Sequence, residues 1–344
     1  MVKPLREEIL DNDLTQVYIA ATIGRDHGWS NIYSLSLQQD LFSRLRPHAI
    51  FNDGAWYTSA PPYAWLLYPF TFFNPVAVVY LWLGLSMLAL IGTWWLAAPG
   101  SGRMRWLWLL GALTWYPVLY GLSLVQPVLI LTFVVALGWR LADSGRQYLA
   151  GAVLGLTVIK PQLIILLPLV LLITGRWRVA LPMAAIGLLF GLLSLLALGG
   201  DGLGDYRVTL AHQSQLANNR YFTLAYLLGP GVIGVAGSAL VVVIVSIGAY
   251  LNRHASVARL FALGLVASML GATYWHLQDF TILVLAAWLF WRDNRPAWQR
   301  WWLLVVVVGG ELAWPLTPLP VLIGVGVWLA ILIAPRRTTS TVAA

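Results

Sequence analysis

Long uninterrupted apolar runs dominate the hydrophobic pattern of this chain. Residues 76–98, 179–199 and 232–252 each reach or exceed the roughly 20 apolar residues that an α-helix needs to cross a bilayer. Polar residues are concentrated in the gaps between such runs and in the first 60 residues. The pattern predicts an all-α fold, a polytopic transmembrane helical bundle.

Arginine clusters divide the remaining apolar sequence into four stretches that are too long for one helix. Each stretch suits a hairpin of two short or tilted helices, and the positive-inside rule places the arginine clusters in the cytoplasm. A polar loop at 200–222 is predicted to join two further full spans, which gives about 11 spans in total. The four stretches are residues 106–139, 147–175, 260–291 and 301–335.

Residues 1–60 are predicted to form an amphipathic segment on the non-cytoplasmic side. Leu14, Val17, Tyr18 and Ala21 follow helical spacing. Either Asp11 or Asp13 suits the N-cap of this helix, and Gly24 and Gly28 suit its C-terminal end. A second helix is predicted over about 34–45. The membrane body is predicted to cover residues 61–337, and a disordered tail residues 338–344.

The start of the membrane body leaves one question of topology. The apolar stretch after Pro61 and Pro62 is about 12 residues long, which suits a re-entrant or interfacial helix or a short, steep one. If residue 100 is cytoplasmic and 76–98 is one crossing, residues 1–60 lie outside without a preceding span to carry them there. We therefore expect one further helix upstream of the segment.

Composition excludes several classes of protein. The chain is 60% hydrophobic and 10% charged, against about 25% charged residues in soluble domains. It has no cysteine and five scattered histidines, so thiol chemistry is excluded and no metal site is predicted. The net charge of +8 is attributed to loop arginines facing anionic lipid rather than to nucleic-acid binding.

Uncommon polar residues fall at the predicted turn of each hairpin. Each has an ordinary explanation: Lys160 near a helix end can extend to the interface, Gln126 can bond between helices, and Glu311 can be interfacial. Their occurrence at the same end of every hairpin favours a shared polar pocket under the outer leaflet. These turn residues are Gln126, Lys160, His276, Asp279 and Glu311.

Six short motifs follow one another along the chain. They are NDLTQVYIAATIGRDHGWSNIY with Asp13, SAPPYAWLLYPF, LVQPVL with Gln126, IKPQLIILLPLVLLITGRWR with Lys160, NNRYFT with Arg220, and HLQD from His276 to Asp279. Together they resemble the motifs of the polyprenol-phosphate-sugar-dependent glycosyltransferases of family 87, in the GT-C superfamily, from about residue 11 to the third hairpin. The sequence departs from that pattern with Ala60 in place of Tyr and with Val125 and Pro127 around the glutamine.

The resemblance implies transfer of a hexose, commonly mannose, from a polyprenyl-phosphate-sugar to a hydroxyl of a glycolipid or glycan outside the cytoplasm. It implies Asp13 as the general base of an inverting displacement. Lys160, Arg220 and His276 are then expected to contact the phosphate or donor. Gln126, Asp279 and Tyr18 are expected to support the site. No cofactor is expected, although a divalent ion is left open.

Two other functions stay open at the level of sequence. A polytopic chain with a buried polar site also suits a lipid or solute transporter, although no inverted repeat is visible. A truncated, non-catalytic family member acting as a partner is the second alternative. All three interpretations place the chain in the cell membrane as a multi-pass protein in contact with lipids, and none predicts a nucleic-acid partner.

Overall fold

A computed structural model describes residues 5–229, 231–293 and 296–334. These residues form α-helices and short 3-10 helices, with no strand among them, which confirms the predicted all-helical class. The predicted tail, residues 338–344, lies outside the described residues. The α-helices are α1 Leu5–Ile9, α2 Asp13–His27, α3 Leu35–Leu45, α4 Pro61–Leu67, α5 Pro75–Ala97, α6 Gly102–Thr114, α7 Tyr116–Ser123, α8 Val128–Asp143, α9 Gln147–Gly155, α10 Leu167–Ile173, α11 Trp177–Gln215, α12 Leu224–Leu228, α13 Val232–Leu251, α14 Val257–Gly271, α15 Ile282–Arg292, α16 Ala297–Trp301, α17 Leu303–Leu312 and α18 Leu319–Ile333.

Three helices in the described part of the chain are long and apolar enough to cross a membrane. They are α5, α11 and α13, and the pair α7 and α8, bent by 119°, makes a fourth candidate if it is counted as one span. Shorter apolar helices cover Gln147–Ile159, Pro161–Ile173, α14 and α18. The chain is therefore a multi-pass membrane protein, and a count of about 11 spans depends on the short helices crossing in pairs.

Helix α14 lies at the centre of the bundle. Its residues from Ala258 to Leu270 are buried all round, as expected for a helix with apolar side chains on every face. It packs against α10, α13, α15 and α18. Gly264 permits the contact with α10, because a Cβ there would lie 2.9 Å from the Cα of Leu167.

The hairpin turns occur close to where the sequence predicts them. Lys160 separates two 3-10 helices, Leu156–Ile159 and Pro161–Ile164, and residues 124–127 separate α7 from α8. Val125 has φ 54° in that second turn, a left-handed conformation that is uncommon for a β-branched residue. Strain of this kind persists only where the surrounding structure enforces it.

The helices of residues 1–60 form close to where the sequence predicts them, but their boundaries differ from the prediction. The N-cap of α2 is Asn12, whose side chain accepts from the Thr15 amide at 3.1 Å, so neither Asp11 nor Asp13 caps it. Gly28 ends the helix with φ 91°. Gly24 does not end it: the residue lies inside α2, where the Trp29 ring leaves no room for a Cβ.

The polar stretch at 200–222 is mostly helical rather than a loop. Helix α11 continues to Gln215 through Gly199, whose backbone is non-helical with φ 61° and ψ −164°. A 3-10 helix, Ala217–Arg220, and the short helix α12 follow. The sequence prediction of a loop was wrong here because high polarity does not exclude a helix that packs on a neighbouring segment.

Candidate active site

The start of α2 is attached to the turn between α7 and α8. The backbone N–H of Asp13 donates to the Leu124 carbonyl at 3.1 Å. In the same turn, the backbone N–H of Gln126 donates to the Gly121 carbonyl at 2.9 Å. Two segments more than 100 residues apart in sequence are thereby held in register, and their side chains meet.

A chain of polar contacts links four of the predicted site residues. The Gln126 side-chain amide donates to Asp13 Oδ2, and its oxygen accepts from Lys160 Nζ at 3.0 Å. Lys160 Nζ also lies 2.5 Å from Asp279 Oδ1. The side chain of Gln126 therefore donates from its N–H₂ group to the Asp13 carboxylate and accepts at its oxygen from the Lys160 ammonium. This orientation of the amide gives each charged group a suitable partner.

Asp279 is the most buried member of this chain of contacts, with a fully inaccessible side chain beside a Lys160 side chain that is 13% exposed. Its other carboxylate oxygen, Oδ2, accepts from the His276 backbone N–H at 3.2 Å. A buried carboxylate needs such partners, because removing it from water costs several kcal/mol. Asp279 therefore fixes both the lysine and the turn that carries the histidine.

His276 connects the turn before α15 to the 3-10 helix Ala217–Arg220. Its Nε2 lies 2.9 Å from Asn219 Oδ1, and its Nδ1 lies 3.4 Å from Gln278 Nε2. Because the amide oxygen only accepts, Nε2 is the protonated nitrogen. Burial lowers the pKa of His276 to about 4, so at neutral pH the ring offers hydrogen bonds but no positive charge.

A cavity of about 460 Å³ opens beside these groups. Burial raises the pKa of the Asp13 carboxyl, although the Gln126 bond and the Lys160 charge oppose the shift. A carboxylate with a raised pKa is a stronger base. The cavity is lined by Asp13, Tyr120, Leu124, Asn218, Tyr221, Phe222, His276, Leu277, Gln278 and Trp314.

Comparison with models of protein families identifies the family of this chain. The model of glycosyltransferase family 87 matches residues 57–344, which is most of the chain. The chain belongs to glycosyltransferase family 87, a GT-C type family. Neither a search of curated proteins nor a search of solved structures finds a match.

Family membership makes the chain a glycosyltransferase, so the transporter alternative is set aside. The matched residues include Gln126, Lys160, His276 and Asp279. Asp13 precedes them, and its place in the site rests on its contacts with Leu124 and Gln126.

Two predicted site residues of this family 87 glycosyltransferase lie apart from the cluster. The Tyr18 hydroxyl donates to the Phe73 carbonyl at 3.1 Å, so it joins α2 to the segment before α5. Arg220 follows Asn219 in its 3-10 helix and is half-buried, but it does not line the cavity. Neither touches Asp13 or Lys160 through any contact that the structure shows.

The structure adds site residues that the sequence did not single out. Asn219 bonds His276, and Tyr120, Gln278 and Trp314 line the cavity. Asn219 lies within the NNRYFT motif, and Trp314 follows Glu311 at a predicted turn. Their position in the sequence was therefore the signal that could have placed them at the site. In the described part of the chain, no group of three or more His, Asp or Glu residues is placed to hold a metal ion.

Proposed function

We propose that the protein transfers a hexose, commonly mannose, from a polyprenyl-phosphate-sugar to an acceptor hydroxyl on the non-cytoplasmic side of the cell membrane. The observation that carries the proposal is the Asp13–Gln126–Lys160–Asp279 chain of contacts, of which Asp13 lines a cavity. It supplies a carboxylate base and a nearby cation, the groups that transfer from a phosphate leaving group requires.

In the proposed reaction, Asp13 takes the proton of the acceptor hydroxyl. The acceptor oxygen forms a bond to the anomeric carbon from the face opposite the phosphate. The bond between that carbon and the phosphate oxygen breaks, its electron pair leaves with the polyprenyl phosphate, and the anomeric configuration is inverted. The raised pKa of Asp13 and its bond from Gln126 suit a positioned base.

Stabilisation of the leaving phosphate is assigned to Lys160 and Arg220. Gln126 and Asp279 occupy two directions around the Lys160 ammonium, which leaves one of its three protons for the phosphate. Arg220 is assigned a second cation's role from the resemblance alone: it follows Asn219 in the neighbouring 3-10 helix and does not line the cavity as the structure has it. The neutral His276 supports this side of the site by holding Asn219.

The proposed topology places residues 1–60 and the hairpin turns on the non-cytoplasmic side and the arginine clusters in the cytoplasm. In this topology, the total of about 11 spans comes from pairs of short helices as well as from the three long helices. Apolar side chains that the long helices expose, among them Leu188, Leu196 and Val243, would face lipid. A polyprenyl chain would approach the cavity through this lipid environment.

The substitution Asp13→Asn tests the proposed base. Asn keeps the side-chain shape but does not accept a proton usefully, so we expect transfer from a polyprenyl-phosphate-mannose to fall about 100-fold or more. Thermal stability should be retained because Asn12, not Asp13, caps α2. In the wild type, transfer should decline as the pH falls through the pKa of Asp13, at a higher pH than the value of about 3.9 for an ordinary aspartate.

Asp11→Asn is the matched control. Asp11 is exposed and its carboxylate pairs with Arg46 at 2.8 Å, so its loss should change transfer less than about twofold. Near-normal transfer by Asp13→Asn would show that the base lies elsewhere. Wild-type protein that binds the donor but transfers no hexose to any acceptor would favour the non-catalytic alternative.

A further inference from the structure

An exposed tryptophan forms one wall of the cavity that contains Asp13. Trp314 lies in the turn between α17 and α18, and its side chain is 55% exposed. Its ring is stacked on that of Tyr120, with centroids 6.0 Å apart and an interplanar angle of 28°. The Tyr120 ring in turn lies 5.9 Å from that of Tyr116, so three aromatic rings follow one another along this side.

The turn that carries Trp314 follows a helix, α17, that is bonded to the start of α7. Glu311 Oε1 accepts from the Tyr116 backbone N–H at 3.0 Å, and Trp115 Nε1 donates to the Val307 carbonyl at 3.0 Å. The turn that carries Trp314 is therefore fixed against the same helix that carries Tyr120. A large aromatic group held rigidly and left exposed costs little conformational entropy when a ligand covers it.

The rest of the cavity wall supplies neutral hydrogen-bonding groups. Asn218, Gln278 and the uncharged His276 line it together with the carboxylate of Asp13. Amides and a carboxylate bond hydroxyl groups, and an aromatic face covers a ring that carries aliphatic C–H groups. A pyranose sugar has both features: hydroxyls around its edge and C–H groups on one face.

We propose that Trp314, backed by Tyr120, is the platform on which a pyranose ring of the acceptor stacks, and that it is the residue that selects the acceptor. This inference rests on the proposed function, because it assumes that the hydroxyl delivered to Asp13 belongs to the acceptor. The sugar ring stacks on Trp314, and Asn218 and Gln278 bond its hydroxyls. Trp314 thereby selects the acceptor without taking part in the chemistry.

Kinetics with separate donor and acceptor titrations test this platform. In Trp314→Ala we expect the KM for a mannose oligosaccharide acceptor to rise about tenfold or more, while kcat and the KM for polyprenyl-phosphate-mannose change less than about twofold. Trp314→Tyr should recover most of the loss because it restores an aromatic face. Trp301→Ala is the control, since Trp301 is 64% exposed on α16 and away from the cavity.

An unchanged acceptor KM in Trp314→Ala would overturn the proposal, as would an equal rise in the KM for the donor. Recovery in Trp314→Leu to the level of Trp314→Tyr would also overturn it, since only bulk would then matter. A purely structural role for Trp314 would lower the melting temperature of Trp314→Ala, whereas we expect it to match that of Trp301→Ala.

A binding measurement separates this inference from the proposed function. Saturation-transfer NMR on nanodisc-embedded protein uses mannotriose as the probe and sorbitol, which has hydroxyls but no pyranose ring, as the control. We expect transfer of saturation to the ring protons of mannotriose in the wild type and its loss in Trp314→Ala, whichever donor the enzyme uses. Equal signals in the two proteins, or an equal signal from sorbitol, would contradict the platform even if mannose transfer is confirmed.

Discussion

Two adjacent residues at the start of α2 have different tasks. Asn12 satisfies the free amides of the helix, since its side chain accepts from the Thr15 N–H at 3.1 Å. The Asp13 carboxylate is thereby left to face Gln126 and the cavity. The group that maintains the fold and the group that is proposed to act on substrate are thus consecutive residues.

Lys160 has a structural task besides the chemical one proposed for it, because its ammonium pairs with the buried carboxylate of Asp279. From sequence alone, Lys160→Met is expected to leave folding nearly intact. The structure changes that expectation, because the substitution leaves a fully buried carboxylate without its cation. Breaking a buried pair in this way costs about 3–5 kcal/mol.

A double-variant cycle separates the two tasks of Lys160. We expect Lys160→Met to melt at a lower temperature than the wild type, and Lys160→Met/Asp279→Asn to recover much of the difference, because no buried charge is then left unpaired. Transfer should stay low in both variants if Lys160 stabilises the phosphate. Activity above about half of the wild-type value in the double variant would remove Lys160 from the phosphate site.

At the scale of elements, the second half of α11 supports the segment that carries Asp13. After the bend at Gly199, the Tyr206 ring stacks on Tyr33 with centroids 4.4 Å apart. Further along, the His212 ring lies 4.7 Å from Trp56. Helix α11 therefore serves both as a membrane helix and as a support for the amphipathic segment.

The contact between α11 and the 3-10 helix Trp29–Asn31 depends on Gly202. A Cβ at Gly202 would overlap the Ser30 carbonyl oxygen and lie 3.0 Å from Ser30 Cα, so Gly202→Ala has to push two backbones apart. We expect a lower melting temperature and weaker transfer, with a cost of about 1–3 kcal/mol typical of overpacking. Thermal melting in detergent, followed by the transfer assay, measures both.

Gly204→Ala provides the matched control on the same helix. Nothing lies within 4 Å of a Cβ built at Gly204, and alanine is favoured over glycine in a helix by about 1 kcal/mol. The Gly204 variant should therefore be as stable as the wild type or more so. Equal destabilisation by both substitutions would mean that α11 does not pack on Ser30 as described.

At the scale of the whole molecule, the arginine-rich ends of the helices gather apart from the polar turns. Arg292 donates to the Ala97 carbonyl at the end of α5 at 2.8 Å, and Arg176 donates to the Ala255 carbonyl at 2.9 Å. The contact of Arg292 is favourable because a cation complements the exposed carbonyls of a helix C-terminus, whereas Ala255 lies in the link between α13 and α14. Lys160 lies in a hairpin turn, and the start of α2 with Asp13 is attached to the turn between α7 and α8.

Labelling of single cysteines tests the proposed topology. The chain has no native cysteine, and Asp143 and Asp205 are both exposed, so a cysteine at either position should react without unfolding. We expect an impermeant thiol reagent added outside intact cells to label position 205 and not position 143. Labelling of both positions from the same side would refute the hairpin scheme.

The amino-acid sequence was sufficient to predict the helical class and the ends of the hairpins. Membrane spans are set by the local length of apolar runs, and breaks in them by prolines and polar residues. For this reason the turns at Gln126, Lys160 and His276 could be located without a structure, and their occurrence at one end of every hairpin predicted a shared polar pocket. The place of Asp13 in that pocket was implied only by the resemblance to family 87.

Which of these groups pair could be seen only in the folded chain. Asn and Asp are near-equal N-caps, so sequence could not choose Asn12 over its neighbours. The bond from Gln126 to Asp13 joins residues 113 positions apart, and that from His276 to Asn219 joins residues 57 apart. Such pairings, like the position of Trp314 over the cavity, depend on how complete helices pack, and local periodicity carries no information about that packing.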